Sequence, residues 1–289
     1  MFSKTIIWKC YRPFIKIFVI AYIVICTILY FQQQRLIFFP RNSLKHNPSQ
    51  YQLKYQDIWI NISEKEEKNE HLHGWWIPAK ETNLPVILYF HHNAINIGAN
   101  VTQALQFHEL GYSVFLFDYR GFGKSEGKFP TESQVYEDAQ AAWNYLTQKR
   151  NISANQIIIY GHSVGGAIAI NLAANHPEAA ALIVHNSFTS IRDLTKRFGL
   201  YWLFPIELII RQRFESLDKI KTIGMPTLIL TGTEDLQIPV EMGKSLYEAV
   251  SSEFKQLIII EGGGHDNHLA EEHRRLVKKF IEQAMVTIR

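Results

Sequence analysis

Residues 157–169 read Ile157-Ile158-Ile159-Tyr160-Gly161-His162-Ser163-Val164-Gly165-Gly166-Ala167-Ile168-Ala169. An apolar run with strand character enters Gly161, and a small-residue run with helix character leaves Gly165. Between them stands Ser163, in a Gly-x-Ser-x-Gly pattern. A serine hydroxyl is a poor nucleophile until it is exposed, aimed and hydrogen-bonded to a base. A sharp strand-to-helix turn does the aiming. Such a turn strains the backbone at the serine and leaves no room beside it, which calls for Gly161 and Gly165. The N-terminus of the helix adds partial positive charge where an oxyanion would form. Small residues let that helix lie close to a sheet, and Pro177 stops it.

The same alternation continues on both sides of this stretch. Residues 86–90, 113–117, 157–160, 181–184, 227–230 and 257–260 are short continuous apolar runs, as strands buried on both faces of a parallel sheet require. Residues 56–60 and 74–77 flank a charged stretch and suit an antiparallel pair. Thr131 and Gln134 are spaced as a capping box, after which Val135, Ala139, Ala142, Trp143 and Leu146 share one helical face. Leu269, Leu276, Val277, Phe280 and Ile281 do the same in the last helix. The pattern predicts a doubly wound α/β layer structure, whose ligands sit at the carboxyl ends of the strands. Residues 187–223 break the alternation. Their apolar part, 198–210, suits either a buried crossover helix or a cap facing the substrate, with Phe198, Trp202 and Phe204 as candidate contacts.

The bulk numbers bound the rest. The chain has 289 residues, 47% of them hydrophobic and 20% charged, which fits one sizeable folded domain behind an N-terminal apolar segment. A net charge of +3, with no basic run interleaved with aromatics, argues against a nucleic-acid partner. The two cysteines, Cys10 and Cys26, both precede the domain, so no disulfide and no cysteine metal site is expected within it. Residues 14–31 are apolar apart from Lys16 and long enough for a short bilayer crossing. Lys4, Lys9, Arg12 and Lys16 outweigh Arg35 and Arg41 beyond it, which predicts a cytoplasmic N-terminus and a domain on the extracytoplasmic side. A cleaved signal peptide is the alternative, but the run closes on bulky residues. The expected organisation is an anchor over 1–31, a connector over 32–50, and a domain over 51–289 with a cap-like insertion around 188–223. Asn61, Asn100 and Asn151 each open an Asn-x-Ser/Thr triplet.

A serine nucleophile needs a base and a group to orient it. Two loops that follow predicted strands supply them. Residues 232–239 carry Asp235, with Glu234 as the adjacent competitor; residues 261–268 carry His265, with His268 as the weaker competitor. The order Ser163, Asp235, His265 is that of an α/β-hydrolase triad. The backbone N–H groups of Val164 and of Asn93, or second Ala94, are the candidate oxyanion donors. Asp266 and His268 lack a third metal ligand at suitable spacing, so no metal is expected.

On these residues the chain resembles the α/β-hydrolase superfamily, and within it the membrane-anchored, single-pass alpha/beta hydrolase domain-containing serine hydrolases. The resemblance rests on residues 35–40, the His91-His92-Asn93-Ala94-Ile95-Asn96 loop, residues 118–127, the serine turn, residues 187–190, and the Asp235 and His265 loops. It implies an α/β-hydrolase fold: a mostly parallel central sheet flanked by helices, with a short helical cap and an N-terminal transmembrane helix. It implies hydrolysis of an ester, thioester or amide without metal or organic cofactor. An acyl-lipid or small ester substrate suits the anchor and the apolar 198–210 segment. The competing expectations are a serine peptidase and a non-catalytic membrane protein that uses the fold as a binding surface. The family usually has His-Gly-Asn-Ala-x-Asn at 91–96. Either His92 takes the positive φ that glycine allows, at a cost of about 1–3 kcal/mol, or the loop adopts another shape. An acidic residue is common near His185, where this chain has Asn186, and Asp266-Asn267 inverts a frequent order. Residues 118–127 read as structural, with Arg120 anchoring a loop.

Overall fold

The computed structural model describes residues 4–62, 70–81, 84–197, 201–266 and 269–287, with side chains from Tyr11 onward. Eight strands form one sheet: β1 (Gln56–Asn61), β2 (His71–Ile77), β3 (Val86–Phe90), β4 (Ser113–Phe117), β5 (Ile157–His162), β6 (Ala181–His185), β7 (Thr227–Gly232) and β8 (Lys255–Ile260). Their order is β1-β2-β4-β3-β5-β6-β7-β8. β2 runs antiparallel to β1 and β4; the remaining pairs are parallel. Every strand expected from the apolar runs is present, and most extend a residue or more beyond the run. The apolar count ends where a polar residue such as His185 or Thr231 enters, whereas the backbone ladder continues through it.

Alternate residues of the buried strands feed two cores, one on each face. Phe90, Phe117, Ile159 and Val184 face α4 (Glu132–Asn144) and α5 (Val164–Asn175). Tyr89, Leu116, Ile158 and Ile183 face α3 (Val101–Glu109) and α10 (Glu271–Thr287). Thr131 and Gln134 form the capping box that their spacing predicts, each side chain reaching the other's backbone at the start of α4. α3 and α9 (Val240–Ala249) are short helices that the apolar periodicity did not single out.

The N-terminus is α1 (Lys4–Phe31), whose Tyr11–Phe31 portion is long and apolar enough to cross a membrane. α2 (Gln33–Ile37) follows at once. The connector is docked rather than loose. Phe38 is fully buried against Phe122 and Phe214. Phe39–Pro40 pairs in parallel with Ala94–Ile95. The buried Gln33 amide donates to the Tyr30 and Ile209 carbonyls and accepts from the Arg211 and Gln212 amides. Among its described residues, the long connection after β6 contains three short α-helices, α6 (Ile191–Thr195), α7 (Ile206–Ile209) and α8 (Ser216–Ile220), in place of a single crossover helix. Pro205 and the positive φ at Phe214 fit this interruption. Of the three Asn-x-Ser/Thr sites, Asn100 is fully buried and donates to the Asn96 carbonyl, while Asn151 is exposed.

Arg120 anchors its loop as expected. Its Nε and Nη2 donate to Asp138 Oδ1 at 2.9 and 2.6 Å, and its backbone N–H donates to Asp138 Oδ2 at 2.9 Å. Asp138 is fully buried on α4, and among the described residues Arg120 is the cation paired with it. Arg120→Ala should therefore destabilise the fold by about 3–5 kcal/mol, the cost of an uncompensated buried carboxylate. Urea unfolding of the variant checks this, with Arg120→Ala/Asp138→Asn expected to recover part of the loss.

Candidate active site

Ser163 sits between β5 and α5 with φ 58 and ψ −124, a strained conformation for a residue with a side chain. Two close approaches explain the flanking glycines. A Cβ on Gly161 would stand 2.1 Å from Gly165 O, and one on Gly165 would stand 2.2 Å from Phe90 O. The turn is held from outside as well. The Ser163 amide donates to the His185 carbonyl at 2.9 Å, and Ser187 Oγ donates to the Ser163 carbonyl at 2.7 Å.

The Asp235 and His265 loops meet at this point. His265 Nε2 lies 3.0 Å from Ser163 Oγ, and His265 Nδ1 lies 2.7 Å from Asp235 Oδ2. Asp235 is buried, and its other oxygen accepts from the Gln237 and Ile238 amides at 2.8 Å each. Burial pushes its carboxyl up, but the bonds from His265 and the two amides outweigh this and hold it below the ordinary value. An ionised carboxylate only accepts, so His265 carries its proton on Nδ1 and presents a bare Nε2 to the serine hydroxyl. Glu234 is exposed on the outer side of the same turn, which separates the two adjacent carboxylates. His268 lies outside the described residues.

Three further side chains shape the site, and sequence reasoning did not assign them. Asn186, at φ 46, donates through Nδ2 to the Gly264 and His265 carbonyls at 3.0 and 2.9 Å, and accepts from the Gly232 amide at 2.9 Å. It thus ties the ends of β6 and β7 to the His265 turn. The unusual asparagine beside His185 was visible in the sequence; its partners, 46 and more residues away, were not. His162 Nε2 donates to the same His265 carbonyl at 2.8 Å. His185 Nδ1 meets the Tyr160 hydroxyl at 2.9 Å. The rings of His162, His185 and His265 lie in a row, with 5.1 Å between neighbouring centroids. Burial drives His162 far below its ordinary pKa, with His185, His265 and His92 adding to the effect. Burial likewise lowers His185 to about 4.

The third metal-ligating group that spacing along the chain did not supply comes from another strand end. Ligand atoms of His162, His265 and Asp266 lie within 4.8 Å of one another. His265 uses both ring nitrogens on Asp235 and Ser163, and His162 Nε2 is on a carbonyl.

Of the two expectations for the His91 to Asn96 loop, the structure shows the second, a different shape. His92 does not take a positive φ; that conformation falls on Ile95, at φ 66. The strain of a positive φ is thus absent at His92; the loop bends three residues later, where Ala94–Ile95 pairs in parallel with Phe39–Pro40. The His92 ring accepts from the Ala94 amide at 3.2 Å, which engages the second-choice oxyanion donor. Asn93 and Val164 both line the cavity at Ser163. Val164 opens α5, so its N–H has no intrahelical acceptor. The Asn93 side chain donates to the Ile37 carbonyl at 2.6 Å, fixing the loop to α2.

That cavity has a volume of about 370 Å³ and is mainly apolar. Leu29, Gln33, Leu36 and Ile37 form one wall, and Ile191, Leu194, Ile206 and Ile209 another. Trp202 is exposed, and Phe204 stacks on Tyr22 of α1; neither lines the cavity. Phe198 lies outside the described residues. The aliphatic residues of α7 and the end of α1 take the place that the aromatics were expected to fill.

This strand order and site define an α/β hydrolase. A family described as serine aminopeptidase, S33, within the hydrolases, matches residues 84–214. The alpha/beta hydrolase domain-containing protein WAV2 of Arabidopsis thaliana is 32% identical over 79% of this chain and 79% of its own. Alpha/beta hydrolase domain-containing protein 17B of Homo sapiens is 34% identical over 70% of this chain and 68% of its own. An esterase of Pyrococcus furiosus superposes with a TM-score of 0.70 at 21% identity, over 86% of this chain and 98% of that one. The chain belongs to the α/β-hydrolase family of alpha/beta hydrolase domain-containing proteins.

The buried histidines make stability depend on pH. His185 titrates near 4 in the folded protein, against an ordinary 6.5. Between these values the unfolded chain binds a proton that the folded chain refuses, so this contribution to stability falls as pH falls. The limit is about 1.4 kcal/mol per pH unit for one proton. His185→Gln removes the term. Urea unfolding free energies from pH 6.5 down to 4 should fall less steeply in the variant than in the wild type.

Proposed function

We propose that the chain is a membrane-anchored serine hydrolase that cleaves carboxylic ester or thioester bonds of acyl lipids or acylated molecules. The observation that carries this reading is the placement of Ser163 Oγ 3.0 Å from His265 Nε2, at the wall of an apolar cavity that suits an acyl chain. Ser163 Oγ attacks the acyl carbonyl carbon while its proton passes to His265 Nε2. The imidazolium is stabilised by Asp235. The oxyanion is held by the N–H groups of Asn93 and Val164, with the α5 N-terminus contributing its field. Collapse breaks the C–O or C–S bond to the leaving group as His265 returns the proton to it. Water then attacks the acyl-Ser163 carbonyl, giving its proton to His265, and Ser163 leaves reprotonated. No metal or organic cofactor has a part in this chemistry.

The proposed organisation is an anchor over residues 1–31, a connector over 32–50 and a hydrolase domain over 51–289, with a cap around 188–223. In the proposed topology the N-terminus is cytoplasmic and the domain extracytoplasmic, as the heavier basic flank before the span favours. The matched family's description raises a peptidase reading. An aminopeptidase must recognise a substrate ammonium group, and among the described residues lining the cavity none is acidic. That composition favours the ester or thioester reading.

The test is labelling by a fluorophosphonate probe, with p-nitrophenyl esters of increasing chain length run beside it. Labelling and ester hydrolysis in the wild type, both lost in Ser163→Ala by at least about a thousand-fold in rate, are expected. A folded wild type that neither labels nor turns over any ester would instead favour a non-catalytic binding protein.

A further inference from the structure

The N-terminal helix does more than tether the domain: its last turns form part of the site. Tyr22, Cys26, Leu29 and Gln33 are spaced along one face of the α1–α2 continuation. Tyr22 donates its hydroxyl to the Leu203 carbonyl at 2.9 Å and stacks on Phe204 at 6.0 Å. Cys26 lines a groove between α1 and α7, floored in part by Ile209 and Leu208. Leu29 and Gln33 line the Ser163 cavity, as does Ile209. Ile209 therefore stands between two spaces, the cavity at Ser163 and a groove of about 340 Å³ that opens along α1.

The cap's position along α1 says what covers that groove. From Phe31 back to Tyr22 the helix descends roughly 14 Å, at 1.5 Å per residue, a distance comparable to half the hydrocarbon thickness. Residues 201–210 contact the helix at this depth and hold one charge, Glu207, which is paired with Arg192 at 2.6 Å. Trp202 and Leu208 of this segment are 70% and 77% exposed. Just above the end of the span stand two exposed cations, Arg211 over the Tyr30 ring and Arg35 over Phe129, at the level where lipid phosphates would lie. A bilayer that covers α1 at Tyr22 must also cover the cap segment packed against it.

Resting on the serine-hydrolase reading above and on α1 lying in a bilayer, we infer that the substrate's acyl chain reaches Ser163 sideways from the lipid leaflet, between α1 and α7 past Ile209. The substrate class is an acyl ester or thioester whose chain is dissolved in the same leaflet as the cap. A water-soluble short ester uses the exposed mouth and does not need this route.

The experiment uses the full chain reconstituted in phosphatidylcholine vesicles. p-Nitrophenyl palmitate is placed in the same vesicles as the enzyme or in separate ones, and p-nitrophenyl butyrate is added from water. A palmitoyl chain leaves its own bilayer slowly because each buried CH₂ holds it by about 0.8 kcal/mol. The expected result is palmitate hydrolysis at least about ten-fold faster from shared than from separate vesicles. Cys26→Trp, which fills the groove, should lower the palmitate-to-butyrate ratio by a similar factor, on the order of ten-fold. Equal palmitate rates from shared and separate vesicles, together with an unchanged ratio in Cys26→Trp, would overturn the lateral route while butyrate hydrolysis leaves the serine-hydrolase reading standing. Failure to hydrolyse either ester, with no fluorophosphonate labelling, would overturn both.

Discussion

The backbone at Ser163 is the constraint on which this molecule turns. A serine at φ 58 between a strand and a helix stays there only if everything around it over-determines the turn. The surroundings do so from three directions. β5 is the central strand, bonded to β3 on one side and β6 on the other. α5 packs so close to β3 that a Cβ on Gly165 would overlap the Phe90 carbonyl. The His185 and Ser187 contacts grip the serine's own amide and carbonyl. The sheet order then delivers the Asp235 and His265 loops to the same edge, because β7 and β8 continue the parallel run from β6.

The histidines around the serine obey a second constraint, desolvation. Several imidazoles in one buried cluster cannot all be charged, and burial removes the proton from His162 and His185 at neutral pH. Neutral rings are useful here as geometric pieces. His162 and Asn186 both donate to the His265 carbonyl, which sets the turn that presents the His265 ring. Asp118 and His91, 3.5 Å apart and fully buried, are handled the same way. Burial raises the Asp118 carboxyl well above its ordinary value and lowers His91 to about 3, so it favours the uncharged form of each.

The sequence was most legible where one local pattern implied one local structure. Six apolar runs located six strands of the sheet, the pair flanking the charged stretch located the other two, and the Thr131 to Gln134 spacing located the α4 cap; the Gly-x-Ser-x-Gly turn and two strand-end loops pointed to Ser163, Asp235 and His265, which the structure brings within hydrogen-bond distance. It was least legible where the partner is distant in the chain. Asn186 reads as an oddity until its bonds to Gly232, Gly264 and His265 are seen. At His92 the sequence left two outcomes open, a strained copy of the glycine conformation or a different loop shape. The pairing of residues 39–40 with 94–95 moved the bend to Ile95, and no pattern within the loop foretells that. Aromatic content pointed to residues 198–210 as a substrate wall, yet Trp202 and Phe204 turn toward solvent and α1, while Ile206 and Ile209 face the cavity. Hydrophobicity alone does not distinguish an exposed side chain from one that lines a cavity.

The proposed mechanism requires a covalent acyl intermediate on Ser163. Rapid mixing with a p-nitrophenyl ester, acid quench and mass analysis of the peptide containing Ser163 would detect it. A fast burst of about one p-nitrophenolate per chain, matched by an acyl group on Ser163, is the expected result. Strictly linear product release, with Ser163 unmodified at every quench time and with p-nitrophenolate release surviving in Ser163→Ala, would contradict it.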